Sequence, residues 1–318
     1  MARLLVIGGT VFVGRHVVEE ALRRGHEVTV FNRGLHGADL FGDRVERIAG
    51  DRREGMGELA GRSWDAVIDT CLFDPAHVAE LDVGTYVFVS TGGVYRDWPE
   101  KAGDETLPLH QTGDDYPALK AASERRLDEV YPGRVLHGRA GTIVGPHENI
   151  GRLPWWLMRM ARGGRVLAPR PPQAPIQLID ARDLAAFLVG AAETGLTGPY
   201  NLVAPPGYSN WGELLELSRR AANPDAELVW ADARWVVERV EEPWLKLPMW
   251  PDPGYPGLFM LDPSKAIAAG LSIRGLGDTV ADTWAWLSAG GELDGWRSEL
   301  RATGLSSDAE EALLRELG

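Results

Sequence analysis

Residues 6–34 read "VIGGTVFVGRHVVEEALRRGHEVTVFNRG", and this stretch decides how the rest of the chain is read. An apolar run, "RLLVI", leads through glycines into an amphipathic segment from about Phe12 to Arg24, then into a second apolar run, "EVTVF", that ends near Phe31. Strand, glycine turn, helix, strand is the order of a Rossmann unit, whose helix N-terminus offers free N–H groups and a positive dipole end to a pyrophosphate. Gly8 suits the tight turn and Gly14 the close packing of the helix, the outer glycines of a GxxGxxG loop. Val11 stands at the middle glycine. A side chain there predicts a pyrophosphate pushed outward or held by neighbouring amides; a Rossmann-like domain that has lost its ligand is the alternative.

Working outward, "VERIAG", "DAVIDT", "TYVFVS" and "RVLHGR" continue the short β-branched runs, with helical patterns expected between them. This predicts an α/β fold: a Rossmann-type doubly wound parallel sheet with a smaller α+β C-terminal lobe. The expected organisation is a dinucleotide-binding domain over 1–150 with a returning segment at about 174–203, interleaved with a substrate-binding lobe over 151–318. Ten of the 12 tryptophans fall in the second half, in loops such as "VAPPGYSNW" and "PMWPDPGYPG", and predict apolar walls of either a core or a pocket. "DARDLAAFLVGAAE" and "WGELLELSRRAA" have helical periodicity, and Ser307 and Glu310 are spaced as a capping box in "SSDAEEALLREL".

A formal charge of −13 argues against a broad nucleic-acid or anionic-membrane footprint. The single cysteine, Cys71, excludes an intrachain disulfide, and no Cys/His cluster has zinc spacing. No run approaches the roughly 20 apolar residues of a membrane span. A cytoplasmic protein is expected, with a small-molecule partner and room for a homodimer.

After the second strand a ribose-binding carboxylate would mark NAD, but the sequence has Asn32 and Arg33. A guanidinium there can stack on adenine and pair with a 2′-phosphate, so NADP(H) is expected ahead of NAD(H). Asp51, in "IAGDRR", is a candidate for the adenine amino group or an ordinary turn residue. Thr70 and Cys71 follow "AVID", where a fourth strand would end beside the cofactor; Cys71 has no activating motif and reads as structural. In "DDYPALKAASERRL", Tyr116 and Lys120 are four apart, so on a helix they share a face and the ammonium favours the phenolate. Ser90 or Thr91, ending "VFVST", would present a hydroxyl to the same substrate oxygen.

Taken in order, "VIGGTVFVG", "YVFVSTGGVY", "YPALK", "GRAGTIVGP", "IQLIDARDLA" and "GPYNLV" resemble an extended or atypical short-chain dehydrogenase/reductase of the NAD-dependent epimerase/dehydratase superfamily. Within it the chain is most similar to an atypical group related to chloroplast stem-loop RNA-binding proteins, whose glycine loop also replaces the middle Gly. The resemblance implies Tyr116 as acid/base, Lys120 orienting the nicotinamide ribose and lowering the phenol pKa, and Thr91 as the hydroxyl partner. It assigns Gly8, Thr10, Val11, Phe12, Val13 and Gly14 to the pyrophosphate loop and Gly145-Pro146 to the turn facing the nicotinamide.

Two departures matter. Pro117 follows the tyrosine, so the helix should begin at Tyr116. Nucleotide-sugar enzymes of this type carry a diphosphate-binding Arg in a strand where this chain has Ile176, aligned through Asp183. His110 and His147 are candidate auxiliary acids or ordinary loop residues. The leading expectation is an NADP(H)-dependent carbonyl reductase or alcohol dehydrogenase acting on a small, rather apolar molecule. The alternatives are an epimerase or dehydratase holding NAD(P) tightly, and a non-catalytic binding or regulatory protein, RNA binding included.

Overall fold

The expected strands form, and their ends define where a ligand can sit. In the computed structural model, residues 1–71, 77–98, 102–255, 257–291 and 303–318 are described. The first half runs β1 (Arg3–Ile7), α1 (Phe12–Arg23), β2 (Glu27–Asn32), β3 (Glu46–Ala49), β4 (Ser63–Asp69), β5 (Asp82–Thr91), α2 (Tyr116–Val130), β6 (Val135–Ala140) and β7 (Thr142–Val144). The second continues with α3 (Arg152–Ala161), β8 (Arg165–Pro169), β9 (Pro175–Ile176), β10 (Leu178–Asp180), α4 (Ala181–Thr194) and β11 (Gly198–Leu202). Then come β12 (Ser209–Asn210), α5 (Trp211–Ala222), β13 (Glu227–Ala231), α6 (Ala233–Val237), α7 (Pro243–Lys246), α8 (Ser264–Ala268), α9 (Leu276–Ser288) and α10 (Ser307–Glu316).

Seven parallel strands make the central sheet in the order β11-β6-β5-β4-β1-β2-β3. Strand order reverses between β1 and β4, and a crevice opens at such a switch point beyond the C-terminal strand ends. The register brings those ends level: Ile7 lies opposite both Phe31 and Asp69, and Asp69 opposite Phe88. One face is covered by α1 and α4, with Val17, Val18, Leu184 and Leu188 packed on Leu4, Val6 and Val28. On the other, Leu127 of α2 and Tyr131, the residue that caps its end, cover Tyr86 and Phe88.

The crossovers from β2 to β5 depart from the helical patterns expected. Among the described residues they contain only single 3-10 turns, at Gly42–Arg44, Gly57–Leu59 and Val78–Glu80. Residues 50–62, "GDRREGMGELAGR", hold four glycines, which disfavour a helix, and only two large apolar residues. Met56 and Leu59 drop fully buried onto the sheet and do the covering a helix would have done.

The second lobe packs α3, α5 and α9 around its own core beside three two-stranded ladders. Trp156, Trp211 and Trp250 are completely buried in it, and Trp156 meets Trp155 and Trp211 edge-on at 4.6 and 5.1 Å. Two of their indole N–H groups are spent on backbone: Trp156 donates to Pro248 O at 2.7 Å and Trp211 to Pro169 O at 3.0 Å. These three tryptophans are lobe core rather than pocket wall; Trp296 lies outside the described residues. The expected capping box at the last helix is also corrected. Ser306 is the N-cap, accepting from Ala309 N at 3.3 Å, while Glu310 turns inward to Arg159 and accepts from Leu167 N at 3.0 Å.

Candidate active site

At the end of β1 the glycine loop is closed by contacts that exclude side chains. Gly8 has φ +110°, and a Cβ there would lie 2.3 Å from Thr70 Oγ1; a Cβ on Gly14 would lie 2.5 Å from Gly9 N. Both glycines are therefore steric requirements. Val11 is not a defect: its φ of −128° and ψ of 135° are ordinary extended backbone. The left-handed residue is its neighbour Phe12, with φ +40°, whose buried ring packs edge-on to His16. No side chain caps α1, so its first N–H groups stay available to an anion.

Around the loop, two expected ligand residues are engaged in bracing it, and a third is paired locally. Asn32 Nδ2 donates to Gly8 O at 2.9 Å and Thr10 Oγ1 at 3.3 Å, while its Oδ1 accepts from Gly34 N at 2.8 Å. Thr70 Oγ1 donates to Ile7 O at 3.0 Å. The Asp51 carboxylate is taken by Arg53 Nε at 3.0 and 3.1 Å and Nη2 at 2.5 Å, which holds it well below the usual carboxylate range. Arg33 is exposed at the rim. Beneath the loop after β2 lies a cavity of about 160 Å³, lined by Thr10, Asn32, His36, Phe41 and Arg47 among others. A larger one of about 450 Å³, beside Pro199 and Lys265, opens near the start of β11, at the opposite end of the sheet from the site.

The hydroxyls of Ser90 and Thr91 separate cleanly. Ser90 is buried and donates to Glu124 Oε1 at 2.5 Å; Glu124 also accepts from Arg139 Nη2 at 2.7 Å, so this hydroxyl belongs to the interior. Thr91, half-buried at the end of β5, accepts from Gly93 N at 3.1 Å and keeps its own O–H to donate. Tyr116 is the first residue of α2, as Pro117 foretold, and is 42% exposed. Asp115 caps the helix, accepting from Ala118 N at 3.0 Å.

Lys120 is only 2% exposed. Its ammonium donates to Cys71 O at 2.9 Å and Val89 O at 2.8 Å and sits 4.3 Å from the Phe88 ring centre. Burial pulls its pKa down to about 8, against the opposing pull of Asp69. Burial also raises the Cys71 thiol to about 11, which keeps it inert. The sequence reading missed the group behind these two residues: a buried Arg52–Asp69 ion pair at 2.9 Å. The signal available was a carboxylate ending the apolar run "AVID".

On the far side, Gly145 has φ +130° and Pro146 O accepts from His16 Nε2 at 3.0 Å, tying that turn to α1. His147 Nδ1 lies 3.3 Å from Arg15 Nη1, and its ring is tilted on Trp286 at 5.0 Å. Since the guanidinium can only donate, Nδ1 is an acceptor here, and His147 holds no proton at that atom. His110 is anchored by its backbone, its N–H donating to Val94 O at 3.0 Å. Ile176 is 1% exposed in the core of the second lobe.

Residues 65–202 match the NAD dependent epimerase/dehydratase family. No curated protein matches the chain in sequence. Among solved structures, it is similar to the Bordetella bronchiseptica enzyme WbmH in complex with NAD+, with TM-score 0.68 and 19% identity over 92% of this chain and 100% of that one. It is similar to the Thermotoga maritima UDP-glucose 4-epimerase with UDP-glucose, with TM-score 0.69 and 18% identity over 91% and 100%. The Thermus thermophilus UDP-glucose 4-epimerase complex with NAD gives TM-score 0.62 and 22% identity over 89% and 98%. At these identities the likeness is one of fold: a Rossmann-like α/β sheet with a C-terminal helical region.

Proposed function

We propose that this chain is a nicotinamide dinucleotide-dependent enzyme of the epimerase/dehydratase kind, acting on a secondary alcohol or its ketone through Thr91, Tyr116 and Lys120. One observation carries the reading: a donor hydroxyl on Thr91 and a tyrosine four residues before a buried ammonium, all at the C-terminal edge of the sheet. A dinucleotide fits beside them. A Cβ at Gly8 or Gly14 would fill the loop, and α1 keeps an uncapped N-terminus for a pyrophosphate.

A nicotinamide ring held there supplies the acceptor and donor of hydride. The chain's own residues manage the proton. Tyr116 takes it from the substrate hydroxyl or returns it. Thr91 donates to the substrate oxygen and steadies the charge that develops on it. Two of the three ammonium N–H groups hold Cys71 and Val89 carbonyls, which leaves one for a ribose hydroxyl.

Hydride returned to the same substrate, with the cofactor retained, is supported by the family match over residues 65–202. It displaces the reductase as the first reading. The second reading, an NADP(H)-dependent reductase, is favoured by Arg33 and by the lack of a carboxylate at position 32. Ile176 argues against a nucleotide-sugar substrate under either.

Denaturing the purified protein and chromatographing the released nucleotides tests the choice. About one NAD(H) or NADP(H) per chain supports the first reading. No retained cofactor, with NADPH-driven carbonyl reduction that Tyr116→Phe lowers about 10²–10⁴-fold, supports the second. A protein that neither retains nor binds either cofactor overturns both.

A further inference from the structure

Asp69, the last residue of β4, is completely buried and sits behind the reacting groups. Both its oxygens accept from Arg52 Nη1 at 2.9 Å, Oδ2 accepts from Tyr86 Oη at 2.7 Å, and Oδ1 accepts from Cys71 N at 2.9 Å. The Cys71 carbonyl, across the same residue, accepts from the Lys120 ammonium at 2.9 Å. A hydrogen-bonded path thus runs from Arg52 through Asp69 and the Cys71 backbone to Lys120. The β4 positions just before it, Val67 and Ile68, are buried and apolar, so packing alone asks for no charge here. A buried ion pair costs desolvation that a hydrophobic residue avoids, and its retention points to another role.

Three charged side chains act on the ammonium: Asp69 on β4 and Glu124 on α2 favour its charge, and Arg52 after β3 opposes it, while the Cys71 thiol is neutral where Lys120 titrates. Resting on the reading of Lys120 as the cation that orients the cofactor, we propose that Asp69 is its positioning residue. Its bond to Cys71 N fixes the backbone whose carbonyl holds the ammonium, and its carboxylate keeps that ammonium charged where water does not reach.

The chain has four lysines, Lys101, Lys120, Lys246 and Lys265, so the side-chain signals of a lysine-labelled sample are few enough to follow by NMR across pH. Lys120→Arg identifies the Lys120 signal by its loss. The wild-type midpoint is expected near 8. Asp69→Asn, which keeps the shape and removes the charge, should lower it by about one pH unit, the low end of what a nearby opposite charge contributes. A folded Asp69→Asn with an unmoved midpoint overturns the proposal.

Should Asp69→Asn fail to fold, Asp69→Ser decides: the smaller hydroxyl fits the space and can still accept from Cys71 N but carries no charge, so the Lys120 midpoint should again fall, and an unmoved midpoint is again fatal. No cofactor enters this measurement, so a wild-type protein that binds no nicotinamide dinucleotide overturns the functional reading alone.

Discussion

Two helices begin at the mouth of the same crevice, and they begin differently. α1 starts behind Val11, whose side chain caps nothing; α2 starts behind Asp115, whose carboxylate accepts from Ala118 N at 3.0 Å. An uncapped N-terminus leaves N–H groups unsatisfied unless something from outside the chain meets them. A capped one is complete and can hold a residue of its own in place, here Tyr116 at the first helical position. The open end suits a ligand and the closed end a reactive side chain.

The sharpest way to break this contrast is to cap the open end. Val11 already has the extended backbone of an N-cap, so Val11→Asp should raise stability to urea by about 0.5–1 kcal/mol. The same carboxylate then stands against a pyrophosphate, and cofactor affinity by calorimetry should fall about tenfold or more, since like charges brought together cost several kcal/mol. Unchanged affinity would mean that α1 is not the anion end.

Opening the closed end has a smaller effect. Asp115→Ala should cost about 1 kcal/mol of stability in urea. Turnover should drop with it while cofactor affinity holds, because Tyr116 loses its cap and the glycine loop is untouched. The smallest effect is expected from Val11→Gly. With φ at −128° the position gains nothing from a glycine, and cofactor affinity should stay within about twofold. A large loss would make the Val11 side chain a positive part of the site.

What was legible in the sequence was whatever depends on neighbours along the chain. The strand–glycine–helix order, the start of α2 at Tyr116 and the tight places of Gly8 and Gly14 all follow from local pattern and local sterics. Side chains whose partners lie in distant elements were not legible. Alternation along β5 says that Ser90 and Thr91 face opposite ways, but only Glu124 and Arg139 decide which faces inward. The bracing of the glycine loop by Asn32, through Gly8 O and Thr10 Oγ1, joins β2 to the loop after β1, a link no local pattern announces. Asp69 is tied to Arg52, 17 residues back, by a pairing no period reveals. The tryptophans could be read as core or as wall, because composition cannot tell the two apart.

The place of β11 in the sheet bears on how the protein is made. This strand completes the sheet beside β6, yet it is reached only after the chain has traversed α3 to α4. While a ribosome has released only the segment through β6, that strand's outer backbone groups stand bare, and the sheet face later covered by α4 is open to water. A bare strand edge pairs with any extended chain that reaches it. The interval between the emergence of residue 140 and that of residue 202 is therefore when a nascent chain is most exposed to mispairing and has most need of a chaperone. Cutting the gene between the two halves would make that interval permanent.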